Sequence, residues 1–186
     1  MSSNLFDMTN KVALITGSSK GIGRAIAEEM VRQGAKVVIS SRKADVCQEV
    51  ADAINAEAKT SGNQTGEAIV IPAHVGQREA LQHLVDETRA RLGQIDVLVC
   101  NAAVNPFYGS MQELPDDAMD KIFDINIKSN HWLVNMVLPE MIERKDGAII
   151  KADVQCVAVK VERGTIRIKA KLNLVKVLTQ ENRLMC

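Results

Sequence analysis

Short apolar runs alternate with helical apolar periodicity along the first 150 residues. The runs are short and rich in β-branched residues, which predicts strands at 11–16, 37–40, 68–72, 95–100 and 147–150. Apolar residues at helical spacing predict helices over 21–33, 44–59, 77–92 and 115–144, and Pro139 predicts a kink or a break near the end of the last one. This alternation predicts a doubly wound α/β fold, in which helices cover both faces of a parallel sheet.

The pattern changes after Ile150. Valines alternate with other residues over 157–161, and a second alternation runs over 166–174 after Arg163-Gly164. Period two on both sides of a turn predicts a β-hairpin. A helix over 170–182 is the competing interpretation, because three apolar residues there also fit helical spacing.

Composition restricts the class of protein. An apolar fraction of 46% is enough for a packed core. A formal net charge of zero and 3% aromatic residues argue against a general nucleic-acid or membrane binder. The four scattered cysteines predict free thiols and no metal site, and no signal peptide is seen, so we expect a cytoplasmic protein. A homo-oligomer is compatible with these features.

A glycine-rich loop follows the first predicted strand and opens the first predicted helix. Gly17 permits the tight turn, Gly21 lets the backbone approach a pyrophosphate, and Gly23 lets the helix pack closely on the strand. Free N–H groups and the positive end of the helix dipole favour phosphate at this point. The loop therefore predicts a dinucleotide site, which also includes Ser19, Lys20 and Ile22.

The end of the second predicted strand indicates which dinucleotide is bound. An acid there would hydrogen-bond the ribose 2′-hydroxyl of NAD, whereas this chain has Ser41, Arg42 and Lys43. An arginine binds phosphate through two parallel hydrogen bonds, and a serine hydroxyl donates another. Lys20 adds positive charge, so the sequence predicts NADP(H). An ordinary solvated pair of surface cations is the alternative interpretation of positions 42 and 43.

Three motifs in order resemble those of the short-chain dehydrogenase/reductase family. They are the TGxxxGxG loop at 16–23, the asparagine motif Asn101-Ala102-Ala103-Val104, and Asn126 within 124–128. The resemblance covers about residues 10–150. Ser41-Arg42-Lys43 and His74-Val75-Gly76 resemble its NADP-dependent retinol dehydrogenase/carbonyl reductase branch. The resemblance implies a Rossmann fold and hydride transfer between NADP(H) and a small carbonyl or alcohol. It also implies further cofactor-binding residues: His74, Val75, Asn101, Ala102 and Ala103.

The resemblance also implies catalytic residues, which the chain supplies in part. The family has a serine after the fifth strand and Tyr-x-x-x-Lys on the next helix. Its tyrosine acts as general acid, its lysine lowers the pKa of that tyrosine, and an asparagine helps to keep a proton-relay water. Asn126 matches the asparagine, and Lys169 falls on the lysine when 170–173 is aligned with the family helix. A lysine on a solvated face is the alternative for Lys169.

The serine and the tyrosine have no counterpart. The positions after Ile150 read Lys-Ala-Asp-Val, and Thr165 falls on the tyrosine position. Tyr108 is the only tyrosine in the sequence and follows the fourth predicted strand. A threonine hydroxyl has too high a pKa to replace a phenol as the acid.

These features predict an NADP-binding Rossmann domain over 1–150, with 151–186 as an atypical segment of the same, truncated domain. We expect an oxidoreductase with an incomplete catalytic set. A non-catalytic NADP(H)-binding protein is the alternative, and a changed reading frame after Ile150 of such an enzyme is a third interpretation.

Overall fold

A parallel sheet forms the centre of the computed structural model, which describes residues 6–60, 65–152, 154–162 and 165–172. Its strands are β1 (Val12–Thr16), β2 (Lys36–Ser40), β3 (Glu67–Val70), β4 (Val97–Cys100) and β5 (Ala148–Lys151), in the order β3-β2-β1-β4-β5. The helices are α1 (Gly21–Arg32), α2 (Ala44–Thr60), α3 (Arg78–Leu92), α4 (Asp116–Ile122) and α5 (Ser129–Arg144). The predicted doubly wound α/β fold is confirmed.

Strand residues alternate between two hydrophobic cores, one on each face of the sheet. In β1, Ala13 and Ile15 pack into the core that α1 and α2 cover, whereas Leu14 packs into the core that α3 and α5 cover. All three side chains are fully buried. Because both faces are covered, the strands appear in the sequence as continuous apolar runs rather than as polar–apolar alternation.

The order of the strands locates a crevice. β1 lies between β2 and β4, so the chain passes from one side of β1 to the other after β3. In open α/β sheets, ligands bind outside the carboxyl ends of the strands at such a switch point. The loops that follow β1 and β4 therefore meet at this edge.

The predicted helical region over 115–144 is confirmed as helical from Asp116 to Arg144, with a change of helix type in its middle. α4 is followed by a π-helical segment (Phe123–Lys128), and α5 then continues past Pro139 to Arg144. A break at Pro139 is therefore wrong, and the alternative of a kink there stays a prediction. Val137 and Met141, on either side of the proline, are buried in the same core, and this packing keeps the helix continuous despite the lost backbone hydrogen bond.

A separate two-stranded sheet follows β5. β6 (Val154–Glu162) and β7 (Thr165–Leu172) pair antiparallel, with Glu162 opposite Thr165. This confirms the predicted β-hairpin as far as Leu172. The Arg163-Gly164 turn, and residues 173–182 of the competing helix, lie outside the described residues.

Candidate cofactor site

The glycine loop turns sharply between β1 and α1. Gly17 and Gly21 have φ angles of 66° and 58°, in the left-handed region that favours glycine. A Cβ atom on Gly17 would lie 2.9 Å from Cα of Ala102, and one on Gly23 would lie 2.6 Å from the carbonyl oxygen of Gly17. The tight turn at Gly17 and the close helix packing at Gly23 thus have the physical reasons expected from the sequence.

Ser18, which sequence reasoning did not single out, fixes this loop to the sheet. Its hydroxyl donates to the carbonyl of Ile15 (2.8 Å) and accepts from the N–H of Ser40 (2.8 Å). The backbone N–H groups of Gly17 and Ser18 donate in turn to the carbonyl of Ser40. The end of β2 and the start of the glycine loop therefore form one hydrogen-bonded unit.

Asn101 joins the end of β4 to the same loop. Its side-chain Nδ2 donates to the carbonyls of Thr16 (3.0 Å) and Gly17 (3.1 Å). The hydroxyl oxygen of Thr16 accepts from the backbone N–H groups of Asn101 and Ala102, both at 3.1 Å. The amide of Asn101 is therefore occupied in holding two loops together, and Thr16 is a second positioning residue that sequence reasoning missed.

The amino end of α1 is open. Lys20 precedes the helix without capping it through its side chain, and the first turn contains no acidic residue. A Cβ atom on Gly21 would have no neighbour within 4 Å, so the backbone faces free space there. Ile22 beside it is an exposed apolar side chain, 62% accessible. Uncapped N–H groups, the helix dipole and open space together suit the phosphate groups of a dinucleotide.

Positive charge surrounds this opening. Lys20, Arg42 and Lys43 are exposed, and within the described part of the chain none of them forms an ion pair. Ser41 and Ser19 are half-buried beside them. A phosphate monoester would meet guanidinium, ammonium and hydroxyl donors here, with no carboxylate partner to compete for them.

His74 and Val75 follow β3 and are both half-buried. The N–H of Gly76 donates to Nδ1 of His74 (3.1 Å), and the N–H of Ala73 donates to the carbonyl of Ser41 (3.1 Å). With Nδ1 as the acceptor, the neutral ring has its proton on Nε2. This segment therefore lies alongside Ser41, at the same edge of the sheet as the glycine loop.

Asn126 lies in the π-helical segment and is half-buried. Its side-chain Oδ1 accepts from the N–H of Val104 (2.9 Å), and its Nδ2 donates to the carbonyl of Val104 (3.0 Å). Its backbone carbonyl accepts from Nδ2 of Asn130 (2.7 Å). Asn126 thus holds the loop after β4 in place, and its proton-relay role stays a prediction.

The residues aligned with the family's acid and lysine lie in an extended strand. Thr165 begins β7, and Lys169 lies four positions along it, opposite Ala158. Residues four apart in a strand are separated by about 13 Å along the chain, whereas one helical turn brings such a pair to about 6 Å. The catalytic assignment of Lys169 stays a prediction. The chain's single tyrosine, Tyr108, is 89% exposed.

Cys100, at the end of β4, is not a nucleophile. Its thiol is 2% exposed, and burial raises its pKa to about 12 despite the nearby charge of Lys151. The thiolate is therefore rare at neutral pH. Among the described residues no group of histidine, cysteine and acidic side chains could hold a metal ion, and no helix is long and apolar enough to span a bilayer.

Comparison with known sequences gives one family. The sequence profile of the family described as short chain dehydrogenase matches residues 11–166. Dehydrogenase/reductase SDR family member 4 of Bos taurus is 41% identical over 143 residues, which cover 77% of this chain and 49% of that protein. Human dehydrogenase/reductase SDR family member 2, mitochondrial, is 37% identical over 176 residues, covering 94% of this chain and 60% of that protein.

The family profile and the match to the human protein extend past Ile150, where the recognisable motifs end. The chain spans about half the length of the curated relatives it matches.

Solved structures agree with this assignment. A metagenomic short-chain oxidoreductase crystallised in complex with NADP superposes with a TM-score of 0.72 at 30% identity, over 80% of this chain and 64% of that one. A short-chain type dehydrogenase/reductase from Mycobacterium marinum superposes with a TM-score of 0.76 at 28% identity, over 89% of this chain and 63% of that one.

Proposed function

The chain belongs to the short chain dehydrogenase family of oxidoreductases, and on that premise we propose that it binds NADP(H) at the carboxyl edge of its sheet. The observation that carries the proposal is the open amino end of α1, where Gly21 faces free space and the first turn has neither a capping side chain nor an acid. Three cations without an acidic partner among the described residues lie on the loops of this edge, so anionic phosphate is the ligand class that fits it.

Each part of the edge has a role in the proposal. The backbone of 19–23 binds the pyrophosphate, with Lys20 beside it. Ser41, Arg42 and Lys43 bind the 2′-phosphate that distinguishes NADP(H) from NAD(H). His74 and Val75 lie beside the adenine. The nicotinamide end of the cofactor lies against Asn101, Ala102, Ala103 and the exposed apolar Ile22. NADP(H), when bound, supplies or accepts the hydride of the reaction.

Reduction of a small carbonyl also needs a proton, and here the chain's own residues are insufficient. Thr165 cannot act as a phenol does, and the amide of Asn126 is occupied by Val104. General acid catalysis is commonly worth about 10²–10⁴-fold in rate. We therefore propose that the 186-residue chain binds the cofactor but reduces carbonyls or oxidises alcohols slowly.

A non-catalytic NADP(H)-binding protein is the second candidate. It is favoured by the position after β5, where Lys151 and Ala152 occupy the place in which the family has its serine. In both proposals residues 1–150 form the cofactor domain, and residues 151–186 are a segment of the same domain. The proposed compartment is the cytoplasm, where the buried free thiols of Cys47 and Cys100 stay reduced.

Cofactor titration followed by a turnover assay tests these proposals. Enhancement of nicotinamide fluorescence gives Kd for NADPH and NADH, and we expect NADPH to bind at least about tenfold more tightly. Equal affinity would contradict the assignment of the 2′-phosphate site, and binding of neither cofactor would contradict the proposal as a whole.

The turnover assay uses saturating NADPH and a panel of aromatic and aliphatic carbonyls, with Lys169→Ala beside the unmodified chain. We expect little turnover in either protein. Brisk turnover that Lys169→Ala abolishes would overturn the slow-turnover proposal and make Lys169 catalytic. Brisk turnover in both would assign proton delivery to another group.

A further inference from the structure

Ser41 has a buried partner that the proposed binding role does not use. Its hydroxyl oxygen lies 3.2 Å from Sγ of Cys47, which is fully buried in the first turn of α2. The N–H of Cys47 also donates to the carbonyl of Lys43 (3.2 Å). Cys47 therefore contacts the Ser41–Lys43 segment twice, once through its thiol and once through its backbone.

The loop after β3 also holds this segment. The carbonyl of Ser41 accepts from the N–H of Ala73, at 3.1 Å. Among the described residues, Sγ of Cys47 is the hydrogen-bond partner of the Ser41 hydroxyl. The hydroxyl of the preceding residue, Ser40, is buried without any partner in that part of the chain. The thiol is thus the group that determines where the single proton of the Ser41 hydroxyl points.

The Ser41 hydroxyl and the Cys47 thiol can be hydrogen-bonded in two ways, which leave different groups free for a ligand. If the Ser41 hydroxyl donates to sulfur, it has only lone pairs left for a ligand. If the thiol of Cys47 donates to Ser41, the hydroxyl proton is free to donate outward. A phosphate accepts hydrogen bonds and requires the second arrangement, whereas a ribose hydroxyl both donates and accepts and is satisfied by either.

We infer that Cys47 is a positioning residue for cofactor specificity, which turns the Ser41 hydroxyl toward a 2′-phosphate. The inference rests on the proposed NADP(H) site. Cys47 does not touch the cofactor and acts through Ser41. Because a thiol is a weak donor, its effect is smaller than that of Arg42, and it acts on the NADPH:NADH affinity ratio rather than on cofactor binding in general.

The test measures Kd for NADPH and NADH by nicotinamide fluorescence in Cys47→Ala, Cys47→Ser, Ser41→Ala and the Cys47→Ala/Ser41→Ala double variant. Cys47→Ala should weaken NADPH binding about two- to fivefold and NADH binding by less than about twofold. Cys47→Ser keeps a donor and should retain the native affinity ratio. In the Ser41→Ala background, Cys47→Ala should leave the ratio unchanged, as a double-mutant cycle requires for an effect that passes through Ser41.

Val50→Ala is the matched control for loosened packing of α2. Val50 is buried in the same core one turn further along the helix. This variant should lower thermal stability and leave the NADPH:NADH ratio at its native value. An equal fall of the ratio in Val50→Ala and Cys47→Ala would overturn the inference, because the effect would then be general loosening.

These measurements distinguish failure of the inference about Cys47 from failure of the proposed function. If the unmodified chain prefers NADPH, and Ser41→Ala lowers that preference while Cys47→Ala does not, the inference about Cys47 is overturned and the proposed function stands. If the unmodified chain shows no preference for NADPH, the proposed 2′-phosphate site is wrong and the inference falls with it.

Discussion

The two edges of the sheet differ in whether their cations have acidic partners. At the amino edge, two cations are paired within the chain: Lys11 with Asp146 (2.8 Å), and Arg144 with Glu140 (3.5 Å) and the buried Asp96 (3.8 Å). At the carboxyl edge, three cations have no acidic partner among the described residues, although polar side chains there bond the backbone closely. Paired charges contribute to the stability of the fold, whereas unpaired cations near an open helix end suit an anionic ligand.

Asp96 is a buried charged group of the amino edge whose hydrogen-bond partners lie within the chain. It is 3% exposed, its Oδ2 accepts from the N–H of Val12 (2.8 Å), and its Oδ1 accepts from the amide of Gln94 (2.7 Å). Among the described residues, the loops after β1 and β2 contain no equivalent buried acid, so a ligand there competes with no internal carboxylate. Mutations at the two edges should therefore change different measurements, folding stability at one and cofactor affinity at the other.

Gly21→Val should give the largest effect at the carboxyl edge. A branched side chain would occupy the space that the pyrophosphate needs, and a left-handed φ costs a non-glycine residue about 1–2 kcal/mol. We expect loss of NADPH binding, at least about a hundredfold by fluorescence titration, in a domain that circular dichroism shows to be folded.

Gly93→Val controls for backbone strain in this experiment. Gly93 also has a positive φ (91°) and no neighbour within 4 Å of a built Cβ, but it precedes β4 at the amino edge. Its variant should lose stability and keep cofactor affinity. A folded Gly21→Val protein that still enhances NADPH fluorescence would show that the loop is only structural.

Asp96→Ala should give the largest effect at the amino edge. It leaves the buried N–H of Val12 without an acceptor, and such a loss costs about 2–4 kcal/mol of unfolding free energy. Urea denaturation measures that loss, and the NADPH:NADH affinity ratio should not change. Asp96→Asn keeps an acceptor oxygen and should lose less stability. If both variants were as stable as the native chain, the hydrogen bonds of Asp96 at the amino edge would not contribute to folding stability.

Arg42→Ala should weaken NADPH binding about ten- to a hundredfold, the effect of losing a two-bond contact between arginine and phosphate. NADH binding should change little, and calorimetry with each cofactor measures the difference. Arg32→Ala is the control, because Arg32 is paired with Glu57 at the far end of α1. An equal loss of affinity for both cofactors in Arg42→Ala would contradict the assignment of the 2′-phosphate site.

The Lys11–Asp146 pair should give the smallest effect, because both side chains are largely exposed. The hydrogen bond from Lys11 holds the pKa of Asp146 below its ordinary value of 3.8. Since the folded pKa is the lower one, the stabilisation is present above pH 3.8 and is lost as pH falls through the folded pKa. Lys11→Ala should lower the unfolding free energy by less than about 1 kcal/mol at pH 7.

Urea denaturation of Lys11→Ala at several pH values checks the sign of this effect. The difference from the native chain should shrink as the pH falls below 3.8 and should also shrink in high salt, which screens exposed charges. A difference that grows in acid would contradict the assigned pair.

Much of the fold could be predicted from the sequence. Each strand of the parallel sheet was predicted within about two residues of its observed bounds, because burial on both faces leaves a continuous apolar run. Differences of two residues occur at the end of β3, which stops at Val70 rather than at 72, and at the start of β4, which begins at Val97 rather than at 95. Asp96 lies just outside the strand, and its carboxylate accepts a hydrogen bond from the N–H of Val12 in the neighbouring one. A polar contact of that kind has no periodic signal.

The candidate site was predictable where backbone geometry fixes the residue type. Left-handed φ at Gly17 and Gly21, and the close approach at Gly23, leave glycine as the suitable residue, so spacing alone indicated the loop. Thr16 and Ser18 were missed because serine and threonine suit many environments. The signal that could have found them is their position within the loop.

The sequence by itself determined the order of strands and helices, the glycine loop, and the basic end of β2, because these depend on local periodicity and on residue type. Only the tertiary structure decided that Thr16 and Ser18 fix the loop, that Asn101 and Asn126 are occupied by backbone groups, and that α5 continues past Pro139. The physical reason is distance along the chain. Thr16 and Asn101 are 85 residues apart, and their hydrogen bonds exist only once β1 and β4 are paired in the sheet.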